Sequence, residues 1–182
     1  MTLALVRHGR TAWNADRRMQ GRTDIVLDEQ GRCQAAAAGR LLARAQWARV
    51  VSSPLQRAVQ SAQLIAAELA ADGTAPSVAL DAQLIERDYG RAEGLAVGHV
   101  RERWPDGEYP DAEPASAATA RAHEALTRLA GEAGDSVVVA HGTLLRLGVQ
   151  SLTGSPCPRI LNGQVILVDR APGGGYVARL LT

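Results

Sequence analysis

Apolar and polar positions fall into blocks of two distinct periods along this chain. Thr2 to Val6 is a short, almost wholly apolar run, and Val50 and Val51, then Val137 to Ala140, repeat the pattern. Continuous, β-branched and bounded by turn-forming residues, such runs predict buried strands of a parallel sheet. Between them the period becomes helical. Leu55, Ala58, Val59, Ala62, Ile65, Ala66 and Leu69 form one stripe, predicting a helix from Leu55 to Ala71 opened by Ser53 and Pro54. An alanine-rich segment predicts another from Glu29 to about Ala45, with Asp28 as its N-cap. A third is expected from about Ala115 to Ala130. A fourth starts just after His141, with Leu144, Leu145, Leu147 and Leu152 available for burial. At the C-terminal end "QVILVD", "APGGG" and "YVARLL" read as a hairpin. Strands alternating with helices predict an α/β fold, a three-layer α/β/α sandwich around a mostly parallel central sheet. The long irregular stretch Trp104 to Pro114, with three Pro and four acids, reads as a surface loop near the site. It falls in a small insertion, about 87–120, of a single domain expected to span 1–182.

Composition narrows the function classes. A chain of 182 residues suits one domain with a proper core. The formal net charge of +1 gives no broad basic field, so no nucleic-acid partner is expected and any anion site must be local. All 20 basic residues are Arg, each a planar fork suited to oxyanions. Phe is absent and aromatics make up 3%, which leaves an aliphatic core of Ala, Leu, Val and Ile. Cys33 and Cys157 form no disulfide framework and read as free thiols; "MTLALV" is too short for a signal peptide and lacks its basic flank. No apolar run approaches the roughly 18 residues of a membrane span. A cytoplasmic protein without a membrane partner is expected. The oligomeric state stays open, the hairpin's edge strand offering one route to a dimer.

Candidate chemistry sits where strands end. "LALVRHG" passes from strand to Arg7, His8 and Gly9, and "VVVAHG" repeats the device at His141 and Gly142. In open α/β sheets ligands bind beyond the carboxyl ends of strands, so both imidazoles can reach one crevice, with Gly there to turn the chain or admit a ligand. Arg7 adjoins His8, and Arg57 lies in the first turn of its helix, where a cation opposes the macrodipole unless an anion intervenes. Arg forks around two imidazoles, with glycine backbone donors, describe a phosphate site. A lone His is ordinarily solvated surface, and His99 and His123 are read so, as are Arg40, Arg44, Arg49 and Arg128 on helix faces or stripes. The chain has no His-x-x-x-His or Cys-x-x-Cys spacing, and flanking Arg would repel a dication, so neither metal nor other cofactor is expected.

"LVRHGRTAWN" resembles the opening signature of the histidine phosphatase superfamily, in its phosphoglycerate mutase-like branch. The similarity continues in the family's order through "MQGRTDIVLDEQGRCQA", "VSSPLQRAVQSA", "LIERDYGRAEGL", "VVVAHGTLLR" and "LNGQVILV". The resemblance implies that His8 is the nucleophile of a phosphohistidine mechanism and that Arg7, Arg57 and His141 hold the phosphoryl oxygens. It further implies a side-chain donor at Asn14, a backbone donor at Gly21 after Gln20, and an acid/base at Glu86, a residue that by its surroundings alone reads as a surface carboxylate. Tyr89, Gly142 and Thr143 complete the implied substrate-binding set. The mutases of the family carry a basic residue where this chain has Val97, Asn where it has Thr143, and an Arg pair in a longer insertion missing here. The family's Gly-Glu-Ser is matched by Ala112, Glu113 and Pro114, and Ala92 replaces an aromatic, which is expected to widen the pocket. The implied activity is hydrolysis of a small phosphorylated metabolite, the alternatives being a phosphoglycerate mutase-type phosphotransferase and a non-catalytic binder of phosphorylated ligands.

Overall fold

The computed structural model describes residues 1–70, 73 and 75–182. Strand β1 (Thr2–Arg7) lies at the centre because four consecutive residues, Leu3 to Val6, are apolar and can be covered on both faces. Further strands are β2 (Arg49–Ser52), β3 (Val78–Leu80), β4 (Ser136–Ala140), β5 (Val165–Arg170) and β6 (Tyr176–Leu181). They form one six-stranded sheet in the order β3-β2-β4-β1-β5-β6. The β1–β4, β2–β4 and β2–β3 pairs are parallel, and the hairpin strands β5 and β6 run antiparallel.

Among the described residues, helices α1 (Ala12–Ala15), α2 (Glu29–Leu42), α3 (Gln56–Glu68), α4 (Val97–Arg103), α5 (Ala115–Gly131) and α6 (Gly142–Thr153) accompany the sheet, with two short 3₁₀ turns. Alternate residues of each central strand point to opposite faces. One face, with Leu3, Leu5, Val51 and Val138, packs on Leu126 and Leu129 of α5 and Leu144 and Leu145 of α6. The other, with Ala4, Val6, Val50 and Val137, packs on Ala38 and Leu42 of α2 and Ala58, Ala62 and Ile65 of α3. This is the expected α/β/α sandwich, and its core is aliphatic.

Boundaries differ from expectation for local reasons. Helix α2 has the expected N-cap, Asp28 Oδ1 accepting from Gly31 N at 2.7 Å, but stops at Leu42. There Trp47 Nε1 donates to the Leu42 carbonyl at 2.8 Å and Ala45 N at 3.1 Å. Helix α3 ends at Glu68, and the expected end at Ala71 lies outside the described residues. Its first amide, Gln56 N, donates to Asp24 Oδ1 at 2.8 Å, a cap brought from a distant loop. The pattern missed β3, an edge strand with Leu80 60% exposed, and α4, whose single buried residue is Val100. The stretch Trp104 to Pro114 is more than a surface loop, since Trp104 and Tyr109 pack against Tyr89, Ala92 and Val100. Ala92 is fully buried there and widens no pocket. Arg49 is no free surface cation either, donating to Ser136 Oγ at 2.8 Å and pairing with Glu132.

Candidate active site

Strand register builds the centre of the site. Arg7 of β1 lies opposite Ala140 of β4, so the next residues, His8 and His141, emerge side by side at the carboxyl edge. Their ring centroids are 5.1 Å apart. His8 N donates to the Ala140 carbonyl at 3.0 Å, extending the ladder by one rung. Strand β2 ends at the same edge, and Ser53 and Arg57 follow it.

Both imidazoles are neutral. Burial depresses the His8 pKa well below its ordinary 6.5, and the cations Arg57 and Arg7 depress it further. His141 is lowered well below 6.5 by burial, then by Arg57, His8 and Arg7. His8 Nδ1 is 2.7 Å from the Gly9 carbonyl, which can only accept, so Nδ1 carries the proton and Nε2 the lone pair. His141 Nε2 lies 2.8 Å from Ser53 Oγ.

Arg57 is wholly buried although charged. Its Nη2 donates to the Gly21 carbonyl at 2.6 Å and its Nη1 to that of Thr23 at 2.9 Å, while burial brings its pKa down to about 10, still charged at neutral pH. Arg7 Nη1 donates to the Ile160 carbonyl at 2.8 Å. A β-carbon at position 142 would approach Arg7 Nε to 3.1 Å, so Gly142 gives that guanidinium room. Gly9 serves differently from expectation. A β-carbon there would come within 2.1 Å of the Gly31 carbonyl, so its glycine lets β1 pack on the start of α2 and clears nothing for a ligand.

Glu86 is 5% exposed, not the surface carboxylate its sequence context suggests. Oε1 accepts from Leu144 N at 3.0 Å and Arg87 N at 2.9 Å, and Oε2 from Thr143 N at 3.1 Å, placing the carboxyl at the N-terminus of α6. Burial raises its pKa, against the pull of those three amides and Arg57. Tyr89 is buried beside it, its hydroxyl 2.5 Å from Thr143 Oγ1. Asn14 Nδ2 donates to Gln20 Oε1 at 3.0 Å, and Thr11 Oγ1 donates to the same oxygen at 3.0 Å. This turns the Gln20 amide so that its Nε2 stays free. Gly21 is fixed by the bond from its carbonyl to Arg57.

Each of the eleven expected residues is thereby joined to the cluster. Sequence reasoning missed Ser53, read as a helix opener, and Ser61, whose Oγ accepts from Gly9 N at 3.0 Å and donates to the Arg57 carbonyl at 2.7 Å. It also missed Asn162, whose Nδ2 donates to the His8 carbonyl at 3.0 Å. Periodicity carries no signal for such partners: Ser53 follows β2, Ser61 lies within α3 and Asn162 precedes β5, and only tertiary packing brings them together. Among the described residues, four buried polar side-chain atoms have no partner: Arg7 Nε, Gln20 Nε2, Arg57 Nε and His141 Nδ1. Buried polar atoms are normally satisfied, so these four, the guanidinium and amide nitrogens among them being donors, suit an oxyanion. Among the described residues no three His, Cys, Asp or Glu side chains group as a metal site.

A family model, "Histidine phosphatase superfamily (branch 1)", matches residues 3–180. The chain is 35% identical over 154 residues to the "Uncharacterized phosphatase PhoE" of Bacillus subtilis, covering 84% of this chain and 77% of that protein. To the "Probable phosphoglycerate mutase GpmB" of Salmonella arizonae it is 31% identical over 165 residues, covering 84% and 74%. Some mycobacterial relatives are longer, a match of 105 residues spanning 28% of their length. In structure it resembles mycobacterial glucosyl-3-phosphoglycerate phosphatase in complex with VO3, with a TM-score of 0.86, 25% identity and 98% and 97% of the two chains covered.

Proposed function

This chain belongs to the histidine phosphatase superfamily, and we propose that it acts there as a metal-independent phosphomonoesterase working through a phosphohistidine on His8. The observation that carries this reading is that the four partnerless buried atoms, on Arg7, Gln20, Arg57 and His141, belong to the cluster holding neutral His8. In the first step the Nε2 lone pair attacks phosphorus, the bond to the leaving oxygen breaks, and protonated Glu86 gives that oxygen its proton. Oε2, with one amide donor against two on Oε1, has the room for this proton. Charge on the equatorial phosphoryl oxygens is met by Arg7, Arg57, Gln20 and His141, whose donors are already in place. In the second step ionised Glu86 takes a proton from water, the oxygen bonds to phosphorus, and the nitrogen–phosphorus bond breaks to restore His8. Tyr89, Thr143, Asn14, Gly21 and Gly142 shape the pocket around these groups.

The substrate in this reading is a small phosphorylated metabolite, handled in the cytoplasm without nucleic acid or membrane. A net charge of +1 argues against a nucleic-acid partner, and no helix among the described residues is long and apolar enough to cross a membrane. The two guanidinium groups supply the charge that a metal would otherwise bring. The test is single-turnover labelling with a phosphoester in excess chelator. An acid-labile, base-stable phosphoenzyme is expected, absent from His8→Ala; no label, or full activity in that variant, overturns the reading.

The similarity to GpmB favours mutase chemistry as a second reading. Against it, Val97 opens α4 without a charge, and Thr143 is engaged by Tyr89. Phosphate release from 3-phosphoglycerate, compared with its isomerisation, separates the two. Tight binding of phosphoesters with no turnover of any would instead mark a non-catalytic binder.

A further inference from the structure

Two neutral imidazoles 5.1 Å apart can perform phosphoryl transfer only if they are opposite in sense. One must offer a lone pair to phosphorus and the other a proton to its oxygens. The Gly9 carbonyl settles the first by taking Nδ1–H of His8. His141 has no carbonyl in that role: its bonded nitrogen is Nε2, and the partner is the hydroxyl of Ser53 at 2.8 Å.

A hydroxyl can donate or accept, and its surroundings decide which. Ser53 Oγ accepts the Leu55 N–H at 3.4 Å, and among the described residues the imidazole is the one acceptor within reach of its own proton. Ser53 is completely buried, and its amide donates to the Val139 carbonyl at 3.0 Å, fixing it against the strand that carries His141. Nδ1 of His141 is buried without a partner. A lone pair there would face the same anion that Arg7 and Arg57 attract, and would repel it.

We infer that Ser53 is a positioning residue that donates to Nε2 of His141, fixing the tautomer whose Nδ1–H faces the transferred phosphoryl group. Ser53 touches no reacting atom and acts through His141 alone. The two histidines thus carry their protons on the same ring nitrogen, Nδ1, yet do opposite work, because the proton of His8 is taken by a backbone carbonyl and that of His141 by no group of the protein. The catalytic consequence rests on the phosphatase reading; the tautomer itself does not.

The test is nitrogen-15 NMR of histidine-labelled protein at neutral pH, with His141 signals assigned by their loss in His141→Asn. Wild-type His141 is expected to show a pyridine-type Nε2 and a pyrrole-type Nδ1. Ser53→Ala should mix or invert that pattern, lower kcat/KM by about 10–1000-fold and weaken inorganic phosphate binding, with Ser53→Thr restoring both. A protonated Nε2 in the wild type overturns the inference, a result independent of whether any Ser53 variant folds. So does a Ser53→Ala protein that keeps the wild-type spectrum. If the tautomer is as expected but no phosphoester is turned over, the phosphatase reading fails and the assignment of Ser53 stands.

Discussion

In the proposed mechanism Glu86 first gives a proton and then takes one, which calls for a pKa above that of a solvated Glu, and burial raises it. Three backbone amides oppose that effect, which keeps the ionised form within reach for the second step. The proton donor matters in proportion to how poor the leaving group is. Glu86→Gln, which keeps the shape and loses the proton, is therefore expected to cut turnover of alkyl phosphates by about 10²–10⁴-fold. Phosphoenzyme formation from p-nitrophenyl phosphate, whose leaving oxygen needs little help, should fall far less. Comparing the two substrates in presteady-state measurements checks this; equal losses on both would remove Glu86 from the donor role. At this scale the sequence was least informative about Glu86, because "LIERDYG" has no periodicity that distinguishes a buried acid from an exposed one. His8 and His141 were legible because each ends an apolar run.

Elements hold Glu86 through Arg121 of α5. Its Nη1 donates to the Gln83 carbonyl at 2.8 Å and the Ile85 carbonyl at 2.6 Å. Its Nε and Nη2 form a fork with the Glu113 carboxylate at 3.0 and 2.8 Å. One side chain thus ties α5 to the segment before Glu86 and to the end of the Trp104–Pro114 stretch. The pair is only 15% and 13% exposed, so it keeps more of its strength than a surface pair would. Arg121→Ala leaves a carboxylate and two carbonyls without this donor, and is expected to cost about 2–4 kcal/mol in urea unfolding. It should also lower kcat more than it raises KM, since Glu86 is displaced while Arg7 and Arg57 remain. A loss of stability alone, with kcat unchanged, would show that this clamp does not position the acid. The helix stripes could be read from periodicity, and the hairpin and the N-cap of α2 from their turn and capping residues. The caps and clamps supplied across long loops, such as Asp24 on α3 and Arg121 on Ile85, could not, for they depend on tertiary packing that no local pattern encodes.

The whole molecule brings the ends of three strands to one edge and buries there two histidines that the proposed mechanism needs uncharged. The parallel sheet was legible because its central strands are continuous apolar runs, whereas edge strand β3, short and exposed, left almost no pattern. Burying neutral histidines makes stability depend on pH. In the unfolded chain both protonate near 6.5, while in the folded protein both pKa values lie well below that. Their contribution is complete above pH 6.5 and is lost as pH falls toward the folded values, by up to about 2.7 kcal/mol per pH unit for the pair. Glu86 has the opposite sign. Its raised pKa favours the folded state below its ordinary 4.5, an advantage lost as pH rises through the folded value, so it offsets up to about 1.4 kcal/mol per unit once it begins to protonate. Stability from denaturant unfolding should therefore fall as pH drops below 6.5, less steeply over the range in which folded Glu86 takes up its proton. In a His8→Asn, His141→Asn double variant the decline near pH 6.5 should disappear; its persistence would mean that other groups govern the acid sensitivity. In the proposed mechanism the constraint follows from the chemistry, since burial that would leave the His8 lone pair free for phosphorus also keeps the folded state from binding the proton.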